Sequence, residues 1–354
     1  MTVPVRRTAP TKQPSTATPV PADDQKCSSP PPPTPTGQVA AHYVIEAFRP
    51  WSLSPTLCTS ALGAAVAWRS EDMFSLPVFL LQLAVCVGLQ SVANLLNTYF
   101  DHKKGFDTRE HNADPTLAED RLTVKQVLIL MAGSWLVSGI AGVQLARLAP
   151  AGVDPLTLLL FIAGGALIAS IYSAPPGLKY IGLGDVGVFA AWSLQTLFSF
   201  FVQTGKLSLL PIWRALPLVL HTVAILHANN TRDINNDLNA GGRTLAAVVG
   251  LDASVWLYKA LVIVPYGLAM VRVLMTNLWY ALPLITMPIA KGLVKRFEGR
   301  HFKSGVVEDT AKMQLLFGAL TCIAEANKPM IPLHAVVIVV MKQMAERMVE
   351  KQQQ

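Results

Sequence analysis

In the segment GLQSVANLLNTYFDHKKGFD, Gln90, Asn94, Asn97 and Asp101 follow one another at steps of 4, 3 and 4. On a helix that spacing lays all four side chains along one stripe. A second segment, HANNTRDINNDLNAGGRT, repeats the device with Asn229, Asp233 and Asp237 at i, i+4 and i+8. Asn97 and Asn229 are 132 residues apart, as are Asp101 and Asp233, so two halves of the chain carry matching polar sites, as an internal repeat would. With Asp107, these aspartates offer hard carboxylate oxygens beside amides, a donor set that suits Mg²⁺ and not Zn²⁺. Mg²⁺ completes its shell with phosphate oxygens, and Lys103, Lys104, Lys179, Arg232 and Arg243 stand in the same or nearby connecting segments to balance phosphate charge. The ligand this chemistry implies is a diphosphate. The plainer alternative makes each aspartate a solvated helix end. Two matched pairs, each with an asparagine four residues upstream, argue against it.

Helices must hold these side chains, and composition says that the helices cross a membrane. Of 354 residues 52% are apolar and 14% charged, against about 25% charged in an ordinary soluble domain. Apolar runs of the roughly 20 residues that cross a hydrocarbon core fall near 51–68, 77–99, 124–146, 155–174, 184–203, 209–229, 250–271, 277–294 and 311–341. They are Gly- and Ala-rich and do not alternate, so an all-α, polytopic bundle of about nine helices is expected, not a barrel. Glu325, Lys328, Pro329 and Pro332 interrupt the last run. The net charge of +7 does not point to nucleic acid, because the basic residues fall between the apolar runs. With nine spans, 19 Lys and Arg share a face with the N-terminal tail and the even-numbered loops, and 5 lie opposite, which puts the basic face in the cytosol. Both acidic motifs open on that face.

The first 40 residues hold ten of the 25 prolines and almost no large apolar side chains, so 1–40 is expected to be a disordered tail. The membrane domain is then 41–341, followed by a polar tail over 342–354. No apolar core of signal-peptide length precedes the first span, which is expected to direct insertion. Arg6 and Arg7 among Ser and Thr have a transit-peptide flavour that Asp23 and Asp24 oppose. Cys27, Cys58, Cys86 and Cys322 lie too far apart for a CxxC site and are read as free thiols.

Over about residues 40–320 the chain resembles the UbiA superfamily of intramembrane aromatic prenyltransferases. The two acidic motifs of that family stand here as Asn97-x3-Asp101-x5-Asp107 and Asn229-Asn230-x-Arg232-Asp233-x3-Asp237. The six-residue step from Asp101 to Asp107 resembles the naphthoate-prenylating MenA branch, whereas the hydroxybenzoate branch typically steps by four. FRPWSLSPT (48–56), NTYFDHKKGFD (97–107), GLKYIGLGD (177–185) and NNTRDINNDLNAG (229–241) are similar to the menaquinone-4-forming members found in animals. The resemblance implies a UbiA-type bundle around a central cavity. In it two Mg²⁺ ions, held by the acidic motifs, clamp an isoprenyl diphosphate, expected to be geranylgeranyl diphosphate, while a naphthoquinol carbon attacks the allylic cation in a dry pocket. It also implies roles by position: Asp101, Asp107, Asp233 and Asp237 as metal-side carboxylates, Asn97 and Asn229 as supporting ligands, and Asn230, Arg232 and Lys179 as diphosphate contacts. A membrane of the endoplasmic reticulum or Golgi is expected, with the mitochondrion as the alternative. Animal relatives bind HMG-CoA reductase, a partner expected here from the resemblance alone.

Several residues carry two readings. Tyr172 and Lys179 approximate a Tyr-x3-Lys pattern of other branches but with six residues between them, and Tyr172 equally suits an interfacial aromatic belt. Asp185 either orients Lys179 or the aromatic acceptor, or caps the fifth span. Arg49, Pro50 and Trp51 read first as an interfacial anchor, and His221 and His227 as packed, hydrogen-bonded histidines. Lys291, Lys295, Arg296, Arg300 and Lys303 read as a topology signal, with anionic-lipid binding behind it. Two other functions stay open: hydroxybenzoate prenylation for ubiquinone, and cation-coupled transport, which an internal repeat also suits.

Overall fold

The chain alternates long apolar runs with polar connections, and most of the described runs form α-helices with a recognisable start or stop. The computed structural model describes residues 41–109 and 114–327, all within a single compact unit. Among the described residues the nine principal helices are α1 (Ser54–Glu71), α2 (Leu76–Lys104), α3 (Val124–Leu148), α4 (Pro155–Ile171), α5 (Gly184–Thr204), α6 (Leu210–Arg232), α7 (Leu251–Met275), α8 (Met287–Glu298) and α9 (Val306–Ala326). Thr123 and Gln126 form a capping box that starts α3, and the Asp154 side chain accepts from Thr157 N to start α4. Gly105, at φ 77°, ends α2. Five of the nine, α2, α3, α5, α6 and α7, are long and apolar enough to cross a membrane. At 29 residues α2 is about 43 Å long, more than the hydrocarbon thickness of about 30 Å, so its last turns carry Asp101 towards water.

Helix α2 packs along α3, α1 lies between α5 and α9, and α6 lies against α5, α7 and α9. One core gathers Leu62, Val66, Leu218, Val262, Tyr266 and Phe317, and a second gathers Val85, Leu89, Leu145, Phe198 and Phe201. Outward-facing Leu128, Ile129, Leu136, Leu159 and Leu160 remain exposed, which suits lipid and not water. Close contacts rest on small residues. A Cβ on Gly63 would stand 2.4 Å from the Thr196 carbonyl oxygen and 2.6 Å from Ser199 Cβ, so α1 and α5 approach to a distance that glycine alone permits. Polar side chains tie the same helices together: Gln195 Nε2 donates to Thr56 O (2.8 Å), Thr59 Oγ1 (2.9 Å) and Ser60 Oγ (3.0 Å).

Two expectations change. The eighth span is not one α-helix but a 3₁₀ segment, Leu278–Thr286, that leads into α8, because Pro283 and Pro288 lack the N–H groups a continuous helix needs. The ninth runs over Val306–Ala326, and residues 328–341 of the expected span, with both expected tails, lie outside the described residues. Glu325 does not face lipid. It is 1% exposed, accepts from Tyr280 Oη at 2.8 Å, pairs with Arg272 and lies 3.7 Å from Arg214 and 3.9 Å from Arg69. Charges at membrane depth persist when paired in this way.

Candidate active site

Asp101 stands in the last turn of α2, and Asp233 caps the C-terminus of α6. Unpaired carbonyls give a helix C-terminus partial negative charge, so a carboxylate there is unfavourable unless cations face it. The chain supplies them. Lys179 Nζ donates to Asp101 Oδ2 at 2.6 Å and to Asn97 Oδ1 at 3.1 Å. Asn97 Nδ2 donates to Asp101 Oδ2 at 3.1 Å, and Tyr180 Oη donates to Asp101 Oδ1 at 2.8 Å. On the second motif, Arg232 grips Asp233 with both arms of its guanidinium, at 2.8 and 2.7 Å, and donates to Asn229 Oδ1 at 2.8 Å.

The two motifs meet. Phe106 of the first loop lies so close to the second that a Cβ on Gly242 would come within 2.5 Å of its ring. Arg243 N donates to Tyr180 O at 3.0 Å, which joins the second motif to the Leu178–Ile181 turn that carries Lys179. Tyr180 is held by Phe106 at 4.9 Å between ring centroids and by the Lys104 ammonium 3.5 Å from its centroid. Burial and the adjacent Asp101 charge push the Tyr180 pKa up, so the phenol stays a donor. Burial lifts the Asp237 carboxyl to about 6; the nearby Asp233 and Asp101 charges push the same way, against Lys179 and a 3.1 Å bond from Thr244. A desolvated carboxylate beside two like charges is a site that wants a cation. Among the described residues no three Asp, Glu, His or Cys side chains form a closed metal cage. An ion that brings phosphate oxygens with it needs only one or two carboxylates from each motif.

Asp107 is buried and accepts from Asp114 N at 3.3 Å. Asp114 pairs with Arg49 at 2.6 Å and accepts from Thr116 N at 3.0 Å and from Thr98 Oγ1. Burial alone would raise the Asp114 pKa, but Arg49 and these hydrogen bonds outweigh it and hold the carboxyl at about 2. Arg49 is therefore more than an interfacial anchor: it reaches from a left-handed backbone position (φ 50°) into the first acidic loop. Of the polar stripe on α2, Asn97 and Asp101 face the site. Asn94 instead donates to Phe48 O and Ser52 Oγ, and Gln90 donates to Asn94. Asn230 is buried in α6, while Lys103 lies 5.7 Å from the Tyr99 ring centroid. Tyr172 is partly buried against the main core, and its carbonyl accepts from Lys179 N at 3.1 Å. His221 packs against Tyr266 and Phe317 and bonds Val262 O at 3.0 Å, and His227 pairs with Asp185. Tyr180, Asp114 and Thr98 escaped the sequence reading. Only Tyr180 left a signal, as the neighbour of Lys179 in GLKYIGLGD.

A family model described as the UbiA prenyltransferase family matches residues 56–308. The chain belongs to the UbiA prenyltransferase family. It is accordingly a prenyltransferase, and with five membrane-length apolar helices it is an integral membrane protein. It is 40% identical over 281 residues to the UbiA prenyltransferase domain-containing protein 1 homolog of Drosophila melanogaster, covering 78% of this chain and 77% of that one. An apo UbiA homolog from Aeropyrum pernix K1 has the same fold, with a TM-score of 0.59 at 13% identity over 76% of this chain and 96% of that chain. A UbiA homolog from Archaeoglobus fulgidus bound to GPP and Mg²⁺ gives 0.54 at 14% identity, over 80% of this chain and 100% of that one.

Proposed function

We propose that this prenyltransferase moves an isoprenyl group, geranylgeranyl by preference, from its diphosphate to a naphthoquinol of the menadiol type, forming a menaquinone of the vitamin K₂ class. The observation that carries the reading is the meeting of the two acidic motifs around Lys179: Asp101, Asn97 and Tyr180 on one side, Asp233, Asp237 and Arg232 on the other. The all-oxygen donor set and the raised Asp237 carboxyl fit Mg²⁺, which the A. fulgidus homolog binds together with GPP. Asp101, Asp107, Asp233 and Asp237, with Asn97 and Asn229, are the residues to hold it. When bound, Mg²⁺ supplies charge neutralisation and Lewis acidity to a diphosphate leaving group.

The chain's own cations do the rest of the donor chemistry. Lys179 and Arg232 face the carboxylates from partly buried positions, 12% and 21% exposed, where a charge-assisted bond to a phosphate oxygen is strengthened. They hold those oxygens as the allylic C1–O bond breaks and its electron pair leaves with the diphosphate. Tyr180 and Asn97 keep the Asp101 carboxylate aimed. An electron-rich ring carbon of the quinol then bonds to C1. The step of six from Asp101 to Asp107 and the resemblance of the motifs to naphthoate-prenylating members favour the naphthoquinol, and on that resemblance alone the membrane proposed is that of the endoplasmic reticulum or Golgi.

Membranes bearing the protein, given menadiol, geranylgeranyl diphosphate and Mg²⁺, are expected to form prenylated naphthoquinone identified by mass spectrometry, with product lost on chelation. No product with any allylic diphosphate contradicts the reading. Preference for 4-hydroxybenzoate in direct competition moves the assignment to the ubiquinone branch.

A further inference from the structure

Asp185, the second residue of α5, lies apart from both acidic motifs in sequence and is 5% exposed. Its two carboxylate oxygens are treated unequally. Oδ1 lies 2.8 Å from His227 Nδ1, whereas Oδ2 is buried with no hydrogen-bond partner. Buried carboxylate oxygens rarely stay unpaired. His227 cannot turn to serve Oδ2. Its Nε2 bonds the Ser254 carbonyl at 3.2 Å, which pins the ring between α5 and α7. The pair is thus a braced carboxylate with one oxygen left for something else.

The neighbourhood says what that is. A Cβ on Gly184 would stand 3.7 Å from Tyr172 Oη and 3.4 Å from Lys179 Cα, so the start of α5 packs directly against the turn that carries Lys179. The Tyr172 phenol lies within electrostatic reach of Asp185, Asp101 and Asp237 together. The start of α5 therefore lies beside the acidic motifs, and His227 is the hydrogen-bond partner of Asp185 there.

We infer that Asp185, braced by His227, receives a hydroxyl of the aromatic acceptor on Oδ2 and takes its proton as the carbon–carbon bond forms. The inference rests on the prenyl-transfer reading above. As the ring carbon bonds to donor C1 and the C1–O electron pair departs with diphosphate, positive charge spreads onto the acceptor hydroxyl and acidifies it. The O–H bond breaks towards Asp185, which leaves the keto tautomer. Loss of the ring-carbon proton to the released diphosphate restores aromaticity as Asp185 returns its proton to the oxygen. Atoms and charge balance, with no oxidant required. Asp185 touches substrate and is catalytic; His227 acts through it and is a positioning residue.

The test separates the two half-reactions in the full-length protein in detergent. Asp185→Asn is expected to lower kcat/KM for menadiol about 10²-fold or more, while Mg²⁺-dependent binding of geranylgeranyl thiolodiphosphate and slow acceptor-free hydrolysis of the donor stay within about twofold. His227→Gln, which keeps a donor towards Asp185 without the ring, is expected to fall between the two. Transfer equal to wild type in Asp185→Asn, or donor binding lost in parallel with transfer, overturns the proposal. Should Asp185→Asn fail to fold, the two monomethyl ethers of menadiol test it on wild type: one isomer is expected to be prenylated and the other not, and equal turnover of both overturns it. Wild type that prenylates no quinol sinks this inference together with the function it rests on. Product from wild type and Asp185→Asn alike sinks this inference alone.

Discussion

Asp101→Asn and Asp233→Asn are each expected to lower kcat/KM for prenyl transfer by about 10²–10³-fold, the loss found when one preorganised electrostatic contact to a transition state is removed. The substitutions keep side-chain shape and remove one charge. At Asp101 the new amide also meets Lys179, Asn97 and Tyr180, all of which donate to the carboxylate, so one N–H group must face a donor. At Asp233 the amide loses one arm of the Arg232 pair. Because the motifs would grip one diphosphate as a unit, the double variant is expected to be little worse than either single one. Independent, additive losses would show that the motifs serve separate ligands, and full activity in both single variants would remove them from the chemistry.

Lys179→Met is expected to cost about 10²-fold in kcat and to leave KM for the quinol unchanged. The Lys179 side chain is 12% exposed and its ammonium lies between Asp101 and Asn97, so its loss strips a cation from the place where leaving-group charge develops. The sign of a second effect distinguishes this from simple damage. Without Lys179 the Asp101 carboxylate loses its direct ion-pair partner, so the affinity of the donor-free protein for divalent metal is expected to rise while turnover falls. Calorimetric titration with Mn²⁺ reads that directly. A parallel loss of metal affinity and turnover would assign Lys179 a structural role.

The acidic motifs were legible because their chemistry is local: steps of four on a helix end, repeated 132 residues later, need no knowledge of packing. Their common face was legible from the asymmetry of Lys and Arg between the loops. Contacts between distant segments were not. Arg49 and Asp114 are 65 residues apart and Tyr180 and Asp101 79 apart, and neither pair has a spacing that marks it. Helical periodicity names a face but not what covers it, so Gln90 and Asn94 share a stripe with Asn97 and Asp101 although Asn94 bonds the Phe48 and Ser52 segment. Glu325 looked misplaced for the same reason. Its partners Arg69, Arg214 and Arg272 come from the ends of three other helices, and only packing brings them together.

The central claim is that both acidic motifs hold one metal-bound diphosphate, and it is tested most directly without turnover. Mn²⁺ electron paramagnetic resonance on the purified protein, with and without unreactive geranylgeranyl thiolodiphosphate, is expected to show tight Mn²⁺ binding that depends on the analogue. That binding is expected to weaken in Asp101→Asn and in Asp233→Asn alike. Unchanged binding of metal and analogue in either variant would contradict the account.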